Sequence, residues 1–338
     1  MHSQMDRTDV AEATRAGETG PDTTRAPMLP NPAALRPAVD PRLRPDGRPT
    51  GDYRDELRRI PNLRNAAAVL SCWVQTIAVV VAAVWIAHPA AWIAAVVLVG
   101  RSHAMFAALM HEAAHRLLFR NRALNDFVGR WLLGFPTFTP IDSYRRGHMA
   151  HHREEFGPNE PDIPLYRGYP ISRASFRRKL TRDITGRTGW TLFKGLFRGL
   201  RAEDRSLRFQ AWGIVASQLV LIAVATAFGR PWLWLVLWWI PHLTVWRVIN
   251  RLRAIAEHGG MVRASDRRDT THTVRQHLVA RALMVPYRIG WHLAHHVDSG
   301  VPMFHLPRYH RALVESGYIN PDLEYPNYRT LWRKLASG

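Results

Sequence analysis

From Asn65 to His88 the chain carries no Asp, Glu, Lys or Arg. A helix rising about 1.5 Å per residue crosses the hydrocarbon core of a bilayer in about 20 residues. That stretch therefore predicts a membrane-spanning helix over 65–88. His88-Pro89 makes a short link, and apolar residues resume over 90–110, interrupted by Arg101-Ser102-His103. A second pair follows at 211–228 and 232–249, separated by Gly229-Arg230-Pro231. The fold class this predicts is an all-α integral membrane protein with four transmembrane helices in two hairpins. Arg101 inside the second span either snorkels to the headgroups, the default expectation, or faces the bundle interior and pairs with a polar group.

The charge balance is +19, from 46 Lys+Arg against 27 Asp+Glu. Residues 1–64 carry 11 Arg and 10 acids, so nearly all the excess lies beyond residue 64. There it punctuates the spans. Arg54, Arg58, Arg59 and Arg64 precede the first, and Arg116, Arg120 and Arg122 follow the second. Arg201, Arg205 and Arg208 precede the third, while Arg247, Arg251 and Arg253 follow the fourth. Cationic flanks mark the cytoplasmic side, which puts both termini and segments 111–210 and 250–338 there. A nucleic-acid-binding protein would gather its cations on one groove-facing surface, so that class is excluded. Residues 1–50 hold eight prolines and no apolar periodicity, which predicts a disordered tail ahead of a domain spanning 51–338. Nothing at the N-terminus has the basic-then-apolar pattern of a secretory leader. A single cysteine, Cys72, excludes an intrachain disulfide framework, Cys-based zinc fingers and an Fe–S cluster on this chain's own thiolates. Cys72 and His103 read as packing residues. Trp190, Phe193, Leu196, Phe197 and Leu200 recur at helical spacing with cations between them. That helix either lies in the headgroup plane or packs on the cytoplasmic body.

Three histidine clusters carry the chemistry. His111 and His115 stand in His-Glu-Ala-Ala-His, His148, His151 and His152 in His-Met-Ala-His-His, and His292, His295 and His296 in His-Leu-Ala-His-His. Positions i, i+3 and i+4 share one helix face, so each cluster aims two or three imidazoles at one point. All three clusters fall on the same side of the predicted spans. Buried imidazoles without partners are costly, and a metal satisfies them together. Eight ligands exceed one four- or six-coordinate ion and fit two, giving a cytoplasmic helical body that carries a histidine-rich dimetal site. Imidazole suits iron, zinc, copper and nickel, so ligand type alone leaves the metal open. His-Glu-Ala-Ala-His also matches the zinc-metalloprotease motif, with Glu112 as general base. Such a protease needs only one further ligand and has no use for six more histidines. Asn320-Pro321-Asp322 is a faint match to its third-ligand motif, far beyond the last span.

From about Arg101 to Gly317 the chain resembles the membrane fatty acid desaturases and their hydroxylase relatives. The resemblance rests on His-Glu-Ala-Ala-His with Asn121-Arg122 and Asn125-Asp126-Phe127-Val128-Gly129 after it. It continues through Tyr144-Arg145-Arg146-Gly147-His148, Glu257-His258-Gly259-Gly260 and the third box with Val301-Pro302 and Leu306-Pro307. It departs after His296, where Val297-Asp298-Ser299-Gly300 replaces a stretch in which relatives often carry proline. The resemblance implies a non-haem di-iron centre that uses O₂ and two external electrons to abstract hydrogen from an unactivated C–H bond. The implied ligands are His111, His115, His148, His151, His152, His292, His295 and His296, with His258 as a ninth. It further implies a double bond introduced into an acyl chain that arrives through the membrane. Two alternatives stay open: a hydroxylase, and an oxidase or desaturase of a small biosynthetic intermediate on the same centre. A fused cytochrome b5-like segment is not expected, since His88-Pro89-Ala90-Ala91 lacks the glycines of such a haem motif. Electrons would come from a separate ferredoxin-like or cytochrome b5-like protein. Metal-bound imidazoles usually donate their second N–H to a carboxylate or carbonyl. Candidates for that role are Glu112, Asp126, Glu257 and Asp298, with Glu154 and Asp162 beside them.

Overall fold

The computed structural model describes residues 28–158 and 160–338, and they are mainly helical. Helix α1 covers Asn62–Ile86, α2 Pro89–Ala114, α3 Ile141–Arg153, α4 Arg173–Ile184 and α5 Arg187–Leu200. They are followed by α6 (Arg205–Ala227), α7 (Val245–His258), α8 (His292–Val297), α9 (Leu306–Glu315) and α10 (Tyr328–Leu335). Two short strands, Thr273–Val274 and Glu324–Tyr325, pair in parallel.

Among the described residues, four helical stretches are long and apolar enough to cross a membrane: Gly51–Ile86, Pro89–Ala114, Arg205–Ala227 and Trp232–His258. The break between the first two is built locally. Ala87 turns left-handed, the His88 ring accepts from the Ala90 N–H at 3.2 Å, and Pro89 takes the first helical position. Proline is tolerated there because its missing N–H would have no intrahelical partner. On α1, Leu70, Val74, Ile77, Val81 and Trp85 are exposed at spacings of three and four. That is one apolar helix face turned outward, as a lipid-facing stripe requires. Helix α2 is the opposite case, interior from Ser102 to Ala114 except at Ala107. At Gly100 a Cβ would stand 2.4 Å from Val245 Cβ, so only glycine lets α2 and α7 approach this closely.

The helices outrun the predicted spans where it matters. Helix α2 continues to Ala114, carrying His111 on its last turn, and the fourth stretch continues past 249 to His258. That fourth stretch is not uniform. A π-helical turn occupies Leu235–Trp239, and Thr244 breaks the helix before α7.

Arg101 does not snorkel. Its guanidinium donates to the Ala282 carbonyl at 2.6 Å and to Gln75 Oε1 at 2.9 Å, because acceptors from two other segments lie within its reach. Cys72 and His103 are interior, the latter with its ring Nε2 3.1 Å from the Trp238 carbonyl. Helix α5 packs Phe193 against Phe138 and Trp239, with ring centroids 5.6 and 5.5 Å apart, while Trp190 and Phe197 remain exposed.

The chain joins the body from Met28, well ahead of the boundary expected at residue 50. Met28 N–H donates to the Gly260 carbonyl at 3.0 Å, Arg268 donates to the Arg36 carbonyl at 2.6 Å, and Tyr309 OH donates to the Gly47 carbonyl at 2.8 Å. Leu43 is buried. Distant donors hold this segment's carbonyls, which composition alone does not reveal. The rest of the expected tail, residues 1–27, lies outside the described residues.

Candidate metal centre

Four helices deliver the nine histidines. His111 and His115 sit at the end of α2, His148, His151 and His152 on the last two turns of α3, His258 at the end of α7, and the remaining three on α8. The helical spacing puts each set on one face, and the apolar core around Leu109, Ala113, Leu293 and Ala294 holds α2 against α8.

The rings converge in two groups. Nitrogens of His111, His115, His148, His152 and His295 all lie within 4.8 Å of one another. Within that group the Nε2–Nε2 separations are 2.9 Å for His148–His115, 3.1 Å for His152–His148 and 3.0 Å for His295–His152. The second group joins His258 to His292 at 3.1 Å and His296 to His292 at 3.0 Å. His151 completes it, with ring centroids 4.8 Å from His258 and 5.0 Å from His296. His152 borders both groups, since it also clusters with Glu155 and His296.

Hydrogen bonding alone does not satisfy these rings. Both nitrogens of His111 are buried and, among the described residues, have no hydrogen-bond partner. Buried polar atoms are nearly always paired, so an orphaned imidazole facing four others asks for an ion. Both histidine groups offer nitrogen donors, a set that fits first-row transition metals. Burial, reinforced by neighbouring imidazoles, holds His148, His152, His292, His295 and His296 well below the ordinary histidine range. His115 is pushed down to about 3, chiefly by burial. These rings are therefore neutral at physiological pH, with lone pairs free for a metal. His151 goes the other way. Burial lowers it, but the hydrogen bond and charge of Glu160 outweigh that and raise it.

The outward nitrogens explain how the rings are aimed. His151 Nδ1 meets Glu160 Oε1 at 2.5 Å, His258 Nδ1 meets the Thr270 carbonyl at 2.9 Å, and His296 Nδ1 meets Glu155. Glu155 is held in turn by Arg267 Nη1 at 2.7 Å. Glu155, Glu160 and Thr270 are absent from the sequence-based candidates. Helix α3 ends at Arg153 and Glu154 leaves helical geometry, so helical spacing does not extend to the acids that follow. Glu154 is the one that turns outward, to Arg263.

Three of the four main carboxylate candidates are bound elsewhere. Glu112 accepts from the Met303 N–H at 2.9 Å, Asp126 pairs with Arg145 at 2.6 Å, and Asp298 pairs with Arg58 at 2.8 Å. Glu257 pairs with Arg253 at 2.9 Å and stands 3.7 Å from His292 Nδ1. Asp162 lies close enough to His151 to feel its charge, although burial still pushes its carboxyl up. Glu160→Ala is expected to lower metal affinity about 10–100-fold, because the ring of His151 loses its anchor. Metal retention during dialysis against a chelator measures this, and unchanged retention contradicts the anchoring role.

The family profile described as fatty acid desaturase matches residues 87–332. The chain belongs to the fatty acid desaturase family. Among curated relatives it is 24% identical over 272 residues to a dihydrorhizobitoxine desaturase of Bradyrhizobium elkanii, covering 75% of each chain. It is 24% identical over 268 residues to an sn-1 oleoyl-lipid 12-desaturase of Arthrospira platensis, covering 71% of this chain and 73% of that one. To an sn-1 acyl-lipid omega-3 desaturase (ferredoxin) of Nostoc sp. (strain 36) it is 22% identical over 285 residues, covering 75% of each. With its four apolar helices, this member of the desaturase family is a membrane protein, and its activity is that of an oxidoreductase of the desaturase type.

Proposed function

We propose that the nine histidines hold two iron ions and that the protein introduces a double bond into an acyl chain, using O₂ and two external electrons. The observation that carries this reading is the convergence of the two imidazole groups in a chain of the desaturase family. When bound, the di-iron centre supplies an oxidant strong enough to take hydrogen from an unactivated C–H bond. The protein's own residues do the rest. Neutral imidazoles of His115, His148, His152, His292, His295 and His296 present their lone pairs, and Glu155, Glu160 and the Thr270 carbonyl fix which ring nitrogen faces inward. Buried Leu109, Leu293, Ala294 and Val297 keep the surroundings apolar and exclude water, as a strong oxidant requires. Glu112, buried and bound to the Met303 N–H, is not placed as a protease's general base, which weighs against that rival.

The four spans form two hairpins, with the histidine-bearing segments and both termini cytoplasmic, as the arginine flanks require. A membrane acyl chain then reaches the metals without leaving an apolar medium. Two relatives with acyl-lipid names support that substrate class, and the word ferredoxin in one of them supports a separate ferredoxin-like donor over a cytochrome b5-like one. A second reading, oxidation of a small biosynthetic intermediate, is favoured by the dihydrorhizobitoxine desaturase match. Hydroxylation shares the first C–H cleavage. Expression in a bacterial host followed by mass spectrometry of extracted lipids separates them. Acyl chains lighter by two hydrogens are expected. A gain of one oxygen indicates hydroxylation, and an unchanged lipid profile with iron-loaded protein indicates the small substrate.

A further inference from the structure

Ahead of the first span, four arginines face one cavity. It has a volume of about 280 Å³ and is lined by Arg44, Arg48, Thr50, Arg54, Arg58 and Asp298. The fold holds these cations together. The loop from Leu43 to Pro49 is closed by a bridge between those two residues and by the Arg44 N–H donating to the Arg48 carbonyl at 2.8 Å. Tyr309 OH clamps the loop through the Gly47 carbonyl at 2.8 Å. Gly47 is left-handed at φ 82°, and a Cβ there would stand 3.0 Å from Leu313. Arg54 and Arg58 lie four residues apart, on one face of the helical turn that follows.

Among the described residues, anionic compensation is thin. Arg58 is paired bidentately with Asp298, and Arg54 reaches Asp55 at 2.9 Å. Among the described residues, Arg44 and Arg48 share one acid, Asp46, at 3.8 and 3.9 Å. Positive flanks that set membrane orientation need only lie near a span. Nothing in that role requires a pinned loop to turn two arginines toward two others around a cavity. Four half-exposed guanidiniums lining one cavity make it attractive to an anion. Guanidinium forks match phosphate oxygens in pairs, which a point charge does not.

We propose that this cavity binds the phosphate group of the acyl substrate's carrier, either a lipid headgroup or a soluble phosphate ester. The substrate role rests on the desaturase reading; phosphate binding does not. The cavity adjoins the segment that follows the third histidine box. Asp298 follows His296 by two residues, its N–H donates to the Ala294 carbonyl at 3.2 Å, and its carboxylate forms one wall of the cavity. A phosphate there sits one ion pair from the third histidine box.

The test uses the full chain in a neutral maltoside detergent, titrated with pyrophosphate and, separately, with dihexanoyl phosphatidic acid. Tryptophan fluorescence reads binding, since the chain has 13 Trp. Arg44→Gln/Arg48→Gln is expected to weaken binding at least tenfold. A charge-matched control, Arg173→Gln/Arg177→Gln on exposed positions of α4, is expected to change it less than twofold. Arg54→Gln alone repeats the test should the double variant melt early. Loss with both probes supports a site for the phosphate itself. Loss seen only with the lipid assigns a headgroup, and loss seen only with pyrophosphate assigns a soluble ester. No binding of either probe, or equal loss in the control, overturns the proposal. Because no turnover is involved, that failure leaves the desaturase reading standing.

Discussion

His148→Ala and His295→Ala each lose oxidation by ~100-fold or more while the protein stays in the membrane fraction. Removing even an outer-sphere partner of a metal ligand costs about 10–100-fold, and removing a ligand opens the shell itself. His148 is central to its group, with Nε2 2.9 Å from that of His115 and 3.1 Å from that of His152. His295 approaches His152 at 3.0 Å from a different helix. Losing either ring leaves the remaining four arranged around an incomplete site. Insertion depends on the four apolar stretches, none of which contains His148 or His295. Turnover, iron per chain and membrane partition measured on the same preparations check this. Full activity in either variant contradicts the ligand assignment.

Asp183→Ala is expected to cost about 3–5 kcal/mol of stability, as breaking one side of a buried ion pair does. Asp183 is fully buried on α4 and accepts from both the Nε and Nη2 of Arg251 on α7, the latter at 3.0 Å. It also accepts from Thr188 Oγ1 at 2.5 Å, so it joins the start of α5 to the same point. Deleting the carboxylate strands a buried guanidinium and releases the segment between the second and third spans. The double variant Asp183→Leu/Arg251→Met is expected to recover much of the loss, since neither charge is then left alone. Thermal melting in detergent reads both. A melting temperature for Asp183→Ala equal to that of the parent contradicts the account of this pair.

What the sequence reveals follows the reach of its signals. A span is a property of a contiguous segment, and the charge-free run from Asn65 to His88 shows it directly. The histidine boxes are visible for a related reason, because i, i+3 and i+4 are local. His258 is a lone histidine at the end of α7, and only resemblance to a family brings it into the set. Glu155 and Glu160 lie past the end of α3, where no periodic rule states which acid turns inward. Contacts across long stretches are invisible. The Asp183–Arg251 pair joins residues 68 apart, and Arg101 meets Ala282 across 181. Residues 28–50 mislead for the same reason. Their composition is that of a tail, but buried Tyr309 and Arg268 supply donors that fix their backbone.

Metal quantification of the purified full-length protein bears most directly on whether these imidazoles gather around paired ions. About two iron atoms per chain are expected, falling in His148→Ala, since nine nitrogens exceed the shell of one ion. A single zinc per chain, or a metal content indifferent to that substitution, contradicts the account.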